Sequence, residues 1–165
     1  MNEVIKAIKR RRSYRSYTDK KISKNILKEI IDCARLAPTA INVQPSEFVV
    51  ITNKEMLKKV ADITDYGKFI KNAAACIIVL CKETKYYLED GCAATENILI
   101  AAESFSIGSC WVAGDKKAYC KKILELIGAP ETYKVVSILS LGYYDKPIEA
   151  HGKRKLKGVI HWEKF

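Results

Sequence analysis

The feature that most restricts the fold is a set of four short apolar runs, rich in β-branched residues and set between helical patterns. They are "EFVVIT" (47–52), "ACIIVLC" (75–81), "SCWV" (109–112) and "YKVVSILSLGYY" (133–144). Such runs, bounded by turn residues, read as strands, the first two as central ones. Helices fill the intervals. Val4, Ile5 and Ile8 recur at helical spacing and end at the arginines that follow. Ser23 is placed to cap a helix whose stripe is Ile26, Leu27, Ile30, Ile31 and Ala34, and Pro38 stops it. "KEMLKKVADI" (54–63) is a third helix. The longest pattern, 86–107, gathers Cys92, Ala93, Ala94, Ala101 and Ala102 on one face, which demands close packing, with Gly108 as its C-cap. "KKAYCKKILELIG" (116–128) closes on Gly128. Strands and helices do not alternate strictly, so a plain βαβ repeat does not fit. No repeat or linker divides the chain, and residues 1–165 read as one domain. Residues 145–165 carry little core-forming pattern and need something else to pack on.

At 165 residues, 48% hydrophobic and 29% charged, the composition is that of a soluble protein. No run approaches the roughly 18 apolar residues of a membrane span, and "MNEVIKAIKRRR" lacks a secretory h-region, so the expected place is the cytoplasm and no membrane partner is expected. The six cysteines, mostly inside apolar runs and without a CxxC, read as buried and reduced. His151 and His161 have no partner at ligand spacing, so no metal site is expected. With 29 Lys and Arg against 19 Asp and Glu, the net charge of +10 invites an anionic partner. Nucleic acid is the less favoured one, since no recognition motif accompanies the charge. Runs such as "KEMLKK" and "KRKLKGV" read as solvated faces.

Two segments stand out. "KRRRSYRSY" (9–17) sets serine and tyrosine among arginines. "LAPTAINVQPSEFVVIT" (36–52) puts Thr39, Asn42 and Gln44 between two prolines ahead of a strand. Taken alone, that second segment is equally a helix-to-strand loop or a stiff hydrogen-bonding rim for a flat ligand.

These two, followed in order by "DGCAATENILIAAESFSIGSCWVAG" and "LGYYDKPIEAHGKRKLKGVIHW", resemble the FMN-dependent nitroreductase family from about Val4 to Trp162. The resemblance implies an α+β fold: a three-layer α/β/α sandwich with a mixed, mostly antiparallel sheet flanked by helices, dimeric with an exchanged C-terminal tail. It implies FMN as cofactor, NAD(P)H as donor, and a small organic acceptor such as a nitroaromatic or quinone, served alternately by one pocket. No catalytic side chain is implied. Arg11, Arg12, Ser13 and Arg15 match the motif that grips the flavin phosphate and ribityl chain and sets a cation by the ring. Arginine forks suit a phosphate. Pro38, Thr39, Ala40, Asn42 and Gln44 match the loop that in the family reaches the partner's flavin. Trp111, Val112, Ala113 and Gly114 match the segment whose amides face the reactive edge of the ring, with Gly114 expected to permit close approach of the flavin. Lys153, Arg154 and Lys155 match the last basic cluster, in more than one register. The chain departs from the family at Ser46, where a tryptophan is common, and at Thr39 and Ala40, where serines are paired. Relatives on this scaffold also dehydrogenate, dehalogenate or dismantle flavin, and such a specialised enzyme is the alternative reading. Tyr66, Phe69 and Tyr86 read as core or surface residues before ring-stacking ones.

Overall fold

The computed structural model describes residues 2–165. Its centre is a sheet of β1 (Ser46–Ile51), β2 (Ala75–Lys82), β3 (Gly108–Ala113) and β4 (Tyr133–Gly142). The order is β1-β2-β4-β3, and every neighbouring pair is antiparallel. β2 is buried from Ala75 to Cys81 because both faces are covered, which is why its sequence is continuously apolar instead of alternating. "EFVVIT" was expected at the centre too. It forms an edge instead: β1 bonds only β2, and Ile51 is its one buried residue. Val and Ile suit a half-covered edge as well as a centre, so composition does not separate the two.

Helices α1 (Glu3–Arg10), α2 (Lys24–Arg35), α3 (Lys54–Ile63), α4 (Tyr87–Ser104) and α5 (Cys120–Ile127) complete the layers. On one face Leu27, Ile30 and Ala34 of α2 and Ile98 and Ala102 of α4 pack with Ile77, Val79 and Leu139. On the other, Leu57 and Val60 of α3 and Ile123 of α5 pack with Ile78, Leu80 and Ile138. The result is the expected three-layer α+β sandwich. Among the described residues no helix is long and apolar enough to cross a membrane.

Local signals mostly hold. Ser23 caps α2 by accepting the Ile26 N–H at 3.3 Å, and Gly128 ends α5 with φ 68°. Gly108 is not the C-cap of α4. The helix ends at Ser104, the chain turns through Ser106 at φ 56°, and Gly108 opens β3. α5 begins four residues later than "KKAYC" suggested, since the Lys117 N–H turns back to the Gly114 carbonyl at 3.1 Å. Cys33 is exposed, against the expectation of buried thiols; it sits on the outward side of α2. The α1 stripe faces outward as well. Val4, Ile5 and Ile8 are 59%, 45% and 51% exposed, while only Ala7 is buried.

Candidate functional site

α1 delivers the chain to the end of β3, where residues 13–18 are sewn to the sheet. Ser13 forms a parallel bridge with Ser109. The Tyr14 N–H donates to the Ser109 carbonyl at 2.9 Å, and the Thr18 N–H to the Tyr143 carbonyl at 2.8 Å. The tyrosines of "RRRSYRSY" are the anchors. Tyr14 is 4% exposed, and the Tyr17 hydroxyl donates to the Tyr14 carbonyl at 2.6 Å and meets the Ser140 hydroxyl at 2.6 Å. Burial pushes the Tyr17 phenol well above its usual range.

The basic residues on either side of Tyr14 line a cavity of about 560 Å³. One wall is Lys9, Arg11, Arg12, Ser13 and Arg15; the other is Ile148, Ala150, His151 and Lys153 from the tail. Among the described residues no carboxylate lines it, so its electrostatics favour an anion. Within this set Arg12 has a second duty. Its guanidinium donates to the Lys9 and Arg11 carbonyls at 2.7 and 2.8 Å, at the C-terminal end of α1, where a cation is favoured. Its buried Nε has no partner among the described residues.

A second cavity, about 120 Å³, has Arg15 in its lining in common with the first. Its walls are Tyr66, Phe69, Trp111 and Tyr119, with Cys110, Val112, Ala113 and Lys117. The Arg15 guanidinium stands 5.9 Å from the centre of the Phe69 ring. The Lys117 ammonium is 5.5 Å from the Tyr66 ring and 3.4 Å from Asp65. β3 is an edge, so alternate backbone groups turn away from β4. The carbonyls of Ser109 and Ala113 meet the Tyr14 N–H and the Tyr119 hydroxyl, and by the same alternation the amides of Trp111 and Ala113 face outward. Burial raises the Cys110 thiol, against the pull of Arg15, and it remains a thiol. Gly114 has a neighbour within its own chain. A Cβ there would lie 2.7 Å from the Val135 carbonyl oxygen and from the Val136 backbone, so the glycine is required by β4.

Tyr66 and Phe69, read from sequence as core or surface, line this second cavity. The available signal was Gly67, a turn residue between two aromatics. Lys9 and His151 also line the first cavity without having been expected there, although each lies two residues from an expected site residue. Tyr86 lines neither cavity.

The loop from Pro38 to Gln44 lies elsewhere. It precedes β1, at the opposite edge of the sheet from β3, three strand spacings or roughly 14 Å away. Asp90 of α4 holds it by accepting the Ala40 N–H at 3.0 Å. Thr39 accepts the Gln44 N–H at 3.1 Å, and Gln44 donates to the Asn42 side chain at 3.1 Å. Ile41, Asn42 and Gln44 have φ of 47°, 56° and 49°, and Ile41 is 99% exposed. Of the tail cations, Lys153 lines the anion cavity; Arg154 turns to the Gly158 carbonyl at 2.6 Å, and Lys155 stands at the head of the turn Leu156–Gly158.

A family model described as the nitroreductase family matches residues 8–75 and 64–143. A relative from Archaeoglobus fulgidus, provisionally named NADH dehydrogenase/NAD(P)H nitroreductase, is 42% identical over 150 residues, covering 87% of this chain and 86% of its own. A solved structure from Bacteroides thetaiotaomicron with the same provisional name has a TM-score of 0.94 at 27% identity, covering 100% of this chain and 99% of that one. An FMN-dependent nitroreductase from Clostridium difficile has a TM-score of 0.92 at 30% identity, covering 98% and 99%.

Proposed function

This chain belongs to the nitroreductase family, and on that footing we propose that it is an FMN-dependent oxidoreductase that moves two electrons from NAD(P)H to a small organic acceptor such as a nitroaromatic or a quinone. The observation that carries the proposal is the pair of cavities that have Arg15 in common, one cationic and, among the described residues, free of carboxylates, the other walled by rings and by the outward edge of β3. That pairing fits a planar ring with an anionic tail. Arg11, Ser13, Arg15 and Lys153 would hold the phosphate, and Tyr66, Phe69 and Trp111 would border the ring. FMN, when bound, supplies the hydride chemistry; none is asked of the protein's own side chains. Arg15 places a fixed positive charge in the lining of both cavities, favouring negative charge on the ring, and the outward amides of β3 offer hydrogen bonds to its edge. One pocket serving donor and acceptor in turn predicts parallel double-reciprocal plots when NAD(P)H and acceptor are varied together. Intersecting lines would show a ternary complex and overturn the shared pocket.

We further propose that the working unit is a homodimer. The Pro38–Gln44 loop and the β3 cavity stand on opposite edges of one sheet, so both border one ring only if the loop comes from a second copy. Apolar side chains left uncovered agree with this: Val4, Ile5 and Ile8 on α1, Ile41 on the loop, and Leu156, Trp162 and Phe165 on the tail. The groove between α2 and the open edge of β1, about 440 Å³ and lined by Leu27, Ile31 and Val50, is uncovered too. An interface taking in these surfaces belongs to the obligate class, above roughly 2,000 Å² in total.

A further inference from the structure

The anion cavity has two walls from opposite ends of the chain, Arg11–Arg15 and Ile148–Lys153, and one side chain touches the structure behind both. The Tyr14 backbone is bonded to β3 through Ser109 at 2.9 Å. Its ring stacks on Tyr144 with centroids 3.9 Å apart and 18° between planes. Its hydroxyl accepts the Ile148 N–H at 3.4 Å. Tyr144 and Ile148 lead into the tail wall, while Ser13 and Arg15, on either side of Tyr14, belong to the other.

The stack lies where the sheet has been cleared for it. Gly108 and Gly142 are cross-strand partners at the end of β3 and β4. A Cβ on Gly108 would come within 2.7 Å of the Tyr14 ring and 2.8 Å of Tyr144, and one on Gly142 within 2.6 Å of Tyr17. Two small residues face each other so that aromatic rings can occupy the space. Desolvation, with the nearby Tyr14 hydroxyl, pushes the Tyr144 phenol up to about 12, so it stays neutral.

We propose that Tyr14 is a positioning residue for the cofactor's phosphate: by stacking on Tyr144 it fixes the tail wall, and with it His151 and Lys153, opposite Arg11, Ser13 and Arg15. This rests on the FMN reading above. The physical logic is that the tail is otherwise exposed from Glu149 to Phe165, so cations on it hold an anion well only where ordering them has already been done. Without the stack, Lys153 would be ordered at the expense of binding.

The test compares FMN with riboflavin, which lacks the phosphate, by quenching of flavin fluorescence on titration into flavin-free full-length protein. The expected result is that Tyr14→Leu lowers the ratio of FMN to riboflavin affinity roughly tenfold, the size of one weakened charge-assisted contact, and that Tyr14→Phe, which keeps the ring, restores the ratio to within about twofold. Tyr144→Leu removes the other half of the stack and should lower the ratio in the same way, which keeps the test available if Tyr14→Leu does not fold. Equal losses for both flavins, or an unchanged ratio in Tyr144→Leu, would make the pair ordinary packing and overturn the proposal. A parent protein that holds FMN no better than riboflavin would instead overturn the phosphate reading of the cavity itself.

Discussion

Arg11 and Arg12 are adjacent, carry the same charge and line the same cavity, yet the hydrogen bonds separate their duties. Arg12 spends its guanidinium on the Lys9 and Arg11 carbonyls, whereas among the described residues no such bond commits Arg11. Arg11→Ala should therefore cost one charge-assisted phosphate contact, roughly 1.5 to 3 kcal/mol, weakening FMN binding about ten- to a hundred-fold with little change in folding stability. Arg12→Ala should lower stability as well, by about 1 to 2 kcal/mol, because the end of α1 loses its capping donors. Fluorescence titration and urea denaturation read the two effects; unchanged FMN affinity in Arg11→Ala would remove that residue from the site. The contrast was not legible in "RRRSYRSY". The motif marks where a cation is wanted, but which guanidinium turns back onto its own helix depends on where α1 ends. Gly114 carries a like lesson: a glycine at a strand end signals close approach, and only the fold adds that one approaching group is the backbone of β4.

At the scale of elements, apolar patterning located the five α-helices and four strands of the described residues, because α2 to α5 and the strands bury faces that the sequence must keep apolar. It could not rank the strands, and β1 proved an edge. Nor could it see that the stripe of α1 faces outward, since an apolar stripe looks the same whether its cover lies within the chain or outside it. α1 is instead held to α4 through Arg10 and Glu103, 3.4 Å apart, with the Glu103 side chain 6% exposed. Burial raises the Glu103 carboxyl above its usual value near 4.5, against the pull of Arg10, Arg12 and Arg11. The folded chain then holds that proton more tightly than the unfolded chain. Stability therefore falls as pH rises from the ordinary glutamate value to the raised one. Glu103→Gln removes this dependence. The variant should gain stability relative to the parent between about pH 4 and about pH 7, measured as urea midpoints. A gain no larger at the upper pH than at the lower would contradict the sign of the shift.

For the whole molecule the proposal is that cofactor binding and the second subunit depend on one another. The tail supplies Lys153 and His151 to the anion cavity, while beyond them it exposes Leu156, Trp162 and Phe165. Removing residues from about Gly152 onward should cost flavin and dimer together, read by sedimentation and by absorbance of the purified protein; a truncated chain that stays folded, monomeric and yellow would refute the shared site. Much of this site was legible because its motifs are local: the basic cluster, the β3 segment and the tail each occur as one contiguous stretch. What was not legible is how the stretches meet. Tyr66 and Phe69 reach the β3 cavity through a turn whose sequence carries no flavin motif, and the Pro38–Gln44 loop ends on the far edge of its own sheet. The central claim, that this fold passes electrons from a nicotinamide through a bound flavin, is tested most directly by anaerobic stopped-flow of the purified FMN-loaded protein. On mixing with NADH or NADPH the flavin absorbance should bleach in a single turnover, and it should return when a quinone is added. Absorbance that stays unchanged with both nicotinamides would contradict the account.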